Sequence, residues 1–250
     1  MDNLESTPAP NSVAVLVPAA GEGHRLGGTR KQFRMLGDRP LLVQVLLLFE
    51  QHPSIGHLAV AVPTDQVQAA SDRLRAEGLS TLTAVVSGGE HRQASVRHAL
   101  RAVPDPVDTV LVHDAARPFV SATQIEAVVQ AVRTKGAAAL AIPVADTLRH
   151  GNNDLLGDTV SRENLYRMQT PQGFRRSWLE EAHRRATADG VVTTDDVELV
   201  QRMGHAVQLV SGARRNFKIT TPADWKLAQQ LWEPWVDDFE RTNVSDTGSA

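Results

Sequence analysis

The chain has 250 residues, 42% of them hydrophobic and 22% charged, which suffices for one sizeable core and excludes a fibrous or wholly disordered protein. Its 26 Lys and Arg against 29 Asp and Glu leave a formal net charge of -3, so nothing draws the whole surface to nucleic acid or anionic membrane. The absence of cysteine removes disulfides, zinc–thiolate sites, iron–sulfur clusters and thiol nucleophiles together, and suits a reducing compartment.

Residues 1–12 are polar and acidic, without the cationic start and apolar run of a secretory signal, and are expected to form a disordered tail. Short apolar runs then alternate with segments of helical period. Strands are expected at 13–17, 58–62, 82–86, 109–112, 138–142 and 207–210. Helices are expected at 41–51, 65–77, 95–102, 122–135, 177–189, 194–203 and 222–231. Continuous apolar strands interleaved with amphipathic helices indicate an α/β domain, 13–232, with a mostly parallel sheet covered on both faces and a ligand beyond the strand C-termini. Residues 145–173 break this rhythm with polar residues, an Asn-Asn pair and short extended pieces near 158–161 and 166–170, the pattern of a projecting β-arm. The segment 233–250 reads as a C-terminal tail, with Trp235 and Phe239 as its apolar exceptions. The apolar runs at 41–49 and 137–144 are too short to span a bilayer, so the expectation is a soluble cytoplasmic protein without a membrane partner.

Three strand ends carry the chemistry-bearing residues. The first runs Val17-Pro18-Ala19-Ala20-Gly21-Glu22-Gly23-His24-Arg25-Leu26-Gly27-Gly28-Thr29-Arg30-Lys31. Small residues there let backbone N–H groups approach an anion. The dinucleotide fingerprint fails because Leu26 stands where its third Gly belongs, and a P-loop fails because Thr29 follows the second Gly of the Gly27-Gly28 pair. What distinguishes this loop from an ordinary Gly-rich turn is that Arg25 and Lys31 flank it, a combination suited to a triphosphate. A unit charge pair at about 4 Å gains roughly 4 kcal/mol at an effective dielectric near 20, and nucleotidyl transfer leans on such cations more than on covalent help. The third strand ends in Ser87-Gly88-Gly89-Glu90-His91-Arg92-Gln93-Ala94-Ser95, either a Gly turn into a helix or a slot for a flat nucleobase with Ser95 at its edge. The fourth ends in His113-Asp114-Ala115-Ala116-Arg117-Pro118, where Asp114 is a turn residue or a holder of a hydrated divalent metal or of a ribose. His113 suits a packed histidine better than a ligand. Further on, Thr221-Pro222-Ala223-Asp224 and Thr194-Asp195-Asp196 both read as helix caps that can also face a phosphate.

These residues carry a resemblance. Pro-Ala-Ala-Gly-x-Gly-x-Arg with a nearby Lys-Gln-Phe, then Gly-Gly-x-x-Arg-x-x-Ser-Val, then Val-His-Asp-Ala-Ala-Arg-Pro are similar to the 2-C-methyl-D-erythritol 4-phosphate cytidylyltransferase family of the non-mevalonate isoprenoid pathway. The similarity continues through Asp146-Thr147, Thr170-Pro171-Gln172, Thr194-Asp195 and Lys218-Ile219-Thr220. It implies a Rossmann-like nucleotidyltransferase fold whose β-arm is exchanged in a homodimer. It also implies a CTP site lined by Ala19, Ala20, Gly21, Gly23, Gly89, Glu90, Ser95, Asp114 and Ala115, with Mg2+ on the phosphates and Asp114 as its candidate protein ligand. Arg25 and Lys31 match the transition-state stabilisers, and Arg162 and Lys218 the pair that positions methylerythritol phosphate. Thr147, Thr170 and Thr194 match its hydroxyl contacts, Thr147 and Arg162 reaching in from the partner's arm. The chain departs from the pattern in carrying Arg30 where a proline usually precedes the catalytic lysine, and in a loop one residue shorter. Three alternatives stay open at this point. They are a cytidylyltransferase for another polyol phosphate such as ribitol 5-phosphate, a non-catalytic nucleotide-binding module, and, weakest by its glycine spacing, an NAD dehydrogenase.

Overall fold

A computed structural model describes residues 13–21 and 30–246, with side chains to Phe239. The expected tail at 1–12 lies outside the described residues. Eleven strands and seven helices follow in chain order among the described residues: β1 (Val13–Pro18), β2 (Met35–Leu36), β3 (Arg39–Pro40), α1 (Leu41–Glu50), β4 (Ile55–Val62), α2 (Val67–Ala76), β5 (Leu82–Ser87), α3 (Arg92–Arg101) and β6 (Thr109–Val112). Then come α4 (Ala122–Lys135), β7 (Ala137–Pro143), β8 (Leu148–Asn152), β9 (Leu155–Val160), β10 (Tyr166–Arg175), α5 (Arg176–Ala188), α6 (Asp196–Arg202), β11 (Gln208–Ser211) and α7 (Pro222–Asp246).

Seven strands form one sheet in the order β11-β7-β10-β6-β1-β4-β5. β1 pairs parallel with β4 and β6, β4 with β5, and β11 with β7, while β10 runs antiparallel to both its neighbours. Strand alternation then sorts side chains onto two faces. Val13, Val15 and Val17 join the core under α1, α4 and α7, whereas Ala14 and Leu16 join the core under α3, α5 and α6. Every β1 side chain from Val13 to Val17 is fully buried, which is why this strand reads as an unbroken apolar run.

Two expectations are corrected. The arm is shorter than 145–173: β8 and β9 form an isolated antiparallel hairpin, and β10 returns to the middle of the sheet. Its periodicity is hidden in the sequence because Thr170, Gln172 and Gly173 face tightly packed surroundings rather than presenting large apolar side chains. A Cβ at Gly173 would come within 2.6 Å of Val132 and 2.9 Å of Leu111, so only glycine lets α4 and β6 close over β10. The second correction concerns 233–246, which is no separate tail but the continuation of α7. Trp232, Trp235 and Phe239 recur at helical spacing; both tryptophans are 6% exposed, and Phe119 meets them in tilted and edge-on ring contacts. Pro234 stands inside the helix without ending it. As expected, Thr221 caps α7: its Oγ1 accepts from Asp224 N at 3.1 Å, and Asp224 accepts in return from Thr221 N at 2.8 Å.

The packing of α7 is open to measurement. Trp235→Ala should lower unfolding free energy by roughly 3–5 kcal/mol in urea titrations, the usual cost of removing a buried aromatic. A change within about 0.5 kcal/mol would mean that the helix end contributes no core contact.

Candidate active site

The C-terminal ends of β1, β5 and β6 meet at one rim of the sheet, as the ladder dictates. Ala19 N donates to Ala61 O at 2.7 Å, Gly88 N to Val62 O at 2.7 Å, and His113 N to Leu16 O at 2.9 Å, so each loop is pinned to the strand beside it. The loops also fit closely. A Cβ on Gly88 would sit 2.1 Å from the Ala20 Cβ, and one on Gly89 would sit 2.4 Å from the Ala94 Cβ. Between them opens a cleft of about 160 Å³, lined by Ala19, Ala20, Gly21, Lys31, Ser95, Asp114, Ala115 and Lys218 from the sequence-derived set. Gln32 and Arg92 line it too. Neither was singled out from sequence, although both lie within the quoted motifs: the Arg of Gly-Gly-x-x-Arg and the Gln of Lys-Gln-Phe. Gln32 has a clear task. Its Nε2 donates to Ala19 O at 2.7 Å and Gly21 O at 3.2 Å, tying the first loop shut from behind.

Asp114 is the electrostatic centre. It is 7% exposed, and three cations surround it: Arg92 Nε lies 3.1 Å from Oδ1, Lys218 Nζ 3.0 Å from Oδ2 and Arg117 Nε 3.5 Å from Oδ2. Burial alone would raise its pKa, but Arg92, Lys218 and Arg117 together hold the carboxylate well below the ordinary range. Arg92 also reaches Asp196, with NH1 2.6 Å from Oδ2, and both carboxylates keep its guanidinium charged despite burial. Three positive side chains (Arg92, Arg117, Lys218) thus meet two carboxylates (Asp114, Asp196) in one network, one positive charge more than negative among these five groups.

The backbone around Asp114 is fixed by buried polar groups. Asp114 N donates to Thr170 Oγ1 at 3.0 Å, Thr170 Oγ1 stands 3.1 Å from His113 Nδ1, and His113 Nε2 stands 3.0 Å from Arg117 O. A carbonyl can only accept, so Nε2 carries the ring proton and Nδ1 accepts from the threonine hydroxyl. His113 is therefore a packed, neutral histidine, edge-on to Phe49 at 4.9 Å, and burial pushes its pKa down to about 4.

The remaining sequence-derived residues fall elsewhere. Arg25 and Gly23 lie outside the described residues. Glu90 is exposed and Gly89 half-buried, neither lining the cleft, while Ser95, which does line it, spends its hydroxyl locally, accepting from Gly89 N at 3.1 Å and donating to His91 O at 3.2 Å. Thr170 lies behind Asp114 rather than in the cleft, its hydroxyl engaged as described. Thr147 and Arg162 are exposed at the arm, Arg162 NH1 donating to Ala145 O, and neither lines the cleft. Thr194 is exposed as well, and the cap of α6 is Asp195, whose side chain accepts from Glu198 N at 3.1 Å. Arg30 does not point at the cleft: its NH1 lies 3.0 Å from Asp65 Oδ1 and 3.1 Å from Oδ2. Lys31 Nζ donates to Ile219 O at 3.1 Å, bringing the end of the first loop against the segment that carries Lys218.

Two measurements probe this network. Arg92→Met takes from buried Asp196 its one arginine partner and from Asp114 one of three cations, and unfolding free energy should fall by roughly 3–5 kcal/mol. The second is pH-dependent. Because His113 has a lower pKa folded, about 4, than unfolded, 6.5, the ring costs nothing above pH 6.5. As pH falls through that window the unfolded chain takes up a proton that the folded chain refuses, and stability drops by up to roughly 3 kcal/mol. The depressed carboxylates Asp114 and Asp196 add their losses only below the ordinary carboxylate range. Urea midpoints at pH 7 and pH 4.5 should therefore separate more in the parent than in His113→Asn; equal separation would refute the assignment.

Relatives of known name bear on this cleft. The sequence model of the 2-C-methyl-D-erythritol 4-phosphate cytidylyltransferase family matches residues 13–233. Over 238 residues, 95% of this chain and 100% of the relative, the sequence is 67% identical to the 2-C-methyl-D-erythritol 4-phosphate cytidylyltransferase of Salinibacter ruber. It is 39% identical to the enzyme of the same name from Bacillus pumilus, over 88% of this chain and 96% of that one. The fold superposes on the crystal structure of the Thermus thermophilus enzyme of that name with a TM-score of 0.75 at 36% identity, covering 87% of this chain and 98% of that one. With its β1, β5 and β6 loops converging on a cationic cleft and the match running from the first strand into the last helix, the chain belongs to the 2-C-methyl-D-erythritol 4-phosphate cytidylyltransferase family.

Proposed function

We propose that the chain transfers CMP from CTP to 2-C-methyl-D-erythritol 4-phosphate, releasing pyrophosphate and forming 4-diphosphocytidyl-2-C-methyl-D-erythritol. The observation that supports this most is the cleft at the β1, β5 and β6 ends, where surplus positive charge stands against a small-residue loop. A 4-phosphate oxygen of the acceptor attacks the α-phosphorus of CTP in line. The bond from that phosphorus to the bridging oxygen breaks, and pyrophosphate leaves with the electron pair. The nucleophile is already an anion, so no general base is needed. Arg25 and Lys31 stabilise the charge that grows on the α-phosphate and leaving group, and Lys218 with Arg162 holds the attacking phosphate. Asp114 keeps Lys218 at the cleft through the 3.0 Å pair, and Gln32 holds the Ala19–Gly21 carbonyls away so that the loop's N–H groups can face phosphate.

Mg2+ suits this site as an ion carried on the CTP phosphates. Among the described residues no group of three or more His, Cys, Asp and Glu could cage a metal, and Asp114 is the only carboxylate lining the cleft. Magnesium keeps several waters and takes one or two carboxylates beside substrate phosphates, which this donor set matches. Asp114 would be the residue to hold it, and the ion would supply neutralisation of phosphate charge.

We further propose a homodimer in which the β8–β9 arm enters the partner's site. The arm's tip exposes Leu155 at 75% and Leu156 at 80%, and Thr147 and Arg162 flank the hairpin away from their own chain's cleft.

Two experiments test this reading. A pyrophosphate-release screen of CTP, UTP, ATP and GTP against methylerythritol phosphate and ribitol 5-phosphate should give turnover with CTP and the former alone; preference for ribitol 5-phosphate would overturn the substrate assignment. Arg25→Ala in the same assay should lower kcat by on the order of a thousandfold while CTP binding changes far less. For the arm, Arg162→Ala and Lys218→Ala should each be inactive alone. When subunits are mixed, action in trans restores one intact site per hybrid, roughly a quarter of parent activity, whereas action within one chain restores none.

A further inference from the structure

On the side of the molecule where α3 packs against α5 lies a groove of about 310 Å³, larger than the catalytic cleft, lined by Arg97, Arg101, Glu180, His183, Arg184 and Thr187. Its charges do not cancel. Glu180 pairs with Arg176 at 2.7 Å and Arg184 with Glu181 at 2.6 Å, both within α5, so the unbalanced charge is that of Arg97 and Arg101 on α3. Arg97 is held upright by NH1, which donates to Thr187 Oγ1.

Two buried nitrogens at this groove have no hydrogen-bond partner among the described residues: Arg97 Nε and His183 Nδ1. Such orphans are rare in folded proteins, and leaving one unmade costs more than a formed bond gains. His183 is only 2% exposed, and its other nitrogen is committed, Nε2 lying 3.1 Å from Asp196 Oδ1. That bond starts a buried chain. Asp196 Oδ2 meets Arg92 NH1 at 2.6 Å, Arg92 Nε meets Asp114 Oδ1 at 3.1 Å, and Asp114 Oδ2 meets Lys218 at 3.0 Å. Groove and cleft are the two ends of one line of hydrogen-bonded side chains.

We propose that this groove is a second anion site, taking a phosphoryl or diphosphoryl group outside the catalytic cleft. Two guanidinium groups supply charge-assisted donors. A phosphate carries both bare and protonated oxygens near neutrality, so it can accept from Arg97 Nε and complete His183 Nδ1 in either sense of that bond. A carboxylate or sulfate supplies only acceptors and satisfies the set less well.

Inorganic pyrophosphate is the probe, titrated calorimetrically into the full chain. The parent should bind at two sites per chain. Arg97→Gln with Arg101→Gln should retain only the cleft site, and Lys31→Gln with Lys218→Gln only the groove site. Because Arg97 also ties α3 to α5, the exposed Arg101→Gln alone provides a variant that folds; it should weaken groove binding at least about tenfold. The His183 ring resonances should shift with pyrophosphate in the cleft variant and stay put in the groove variant. A groove pair that binds as the parent does, or a single site that the cleft variant abolishes, overturns the proposal. Failure of the cleft arm alone would instead count against the catalytic reading.

Discussion

The structure turns on one buried carboxylate. Asp114 follows the fourth strand of the parallel core, where the chain leaves the sheet, and a charge there without partners would cost several kcal/mol of desolvation. Arg92, Arg117 and Lys218 remove that cost, and each comes from a different stretch of chain: the start of α3, the turn after β6, and the segment before α7. Satisfying Asp114 therefore obliges three loops to meet at one rim. The same groups leave positive charge facing the cleft. The constraint that closes the fold and the field that suits a triphosphate are one arrangement.

Preorganisation follows from it. A cation that must be gathered when substrate arrives spends side-chain entropy and rearranges water; one already fixed by a buried carboxylate does not. Lys218 is held by Asp114, and Ile219 N donates to Ala116 O at 2.9 Å, so the lysine and the Asp114 loop move as one body. Lys31 joins them through Ile219 O, and Gln32, next in sequence, fastens the opposite loop. A short 3₁₀ turn, Lys31–Phe33, thus faces both halves of the cleft with adjacent side chains.

What sequence conveyed and what it hid divide along physical lines. Five of the six apolar strands, the two-sided sheet and the cap at Thr221 were legible because burial and capping leave short-range patterns, whereas the sixth, β11, stands where a strand was expected but at the sheet edge with three of its four residues exposed. β10 was not, since its place in the sheet rests on Gly173 and on polar residues satisfied by distant partners: Gln172 reaches Asp195 and Asp196, and Asn216 Nδ2 donates to Thr170 O at 2.9 Å. Such bonds span tens of residues and leave no period. The end of α7 was missed for the opposite reason, a proline and an acidic composition masking three aromatics at helical spacing. At the site, the motifs marked the loops and most of the lining. They could not tell a residue that faces the cleft, such as Arg92, from one that serves behind it, such as Thr170, because that depends on which way a fixed backbone aims each side chain.

The Arg30 departure shows how one physical requirement admits two solutions. A proline before the lysine would limit φ and so aim the following residue by stiffness. Arginine has no such stiffness, but here it takes two oxygens of Asp65, in the turn after β4, and anchors the loop end by attachment instead. Both partners are partly exposed, at 32% and 61%, so the pair adds little to global stability and its value is directional. Paired in this way Arg30 does not compete with Lys31 for phosphate, and the lysine leaves the turn toward Ile219. An anchor that depends on charge weakens with salt where a proline would not. The geometry of Lys31 in this chain is thus coupled to ionic strength through a residue that never touches the cleft.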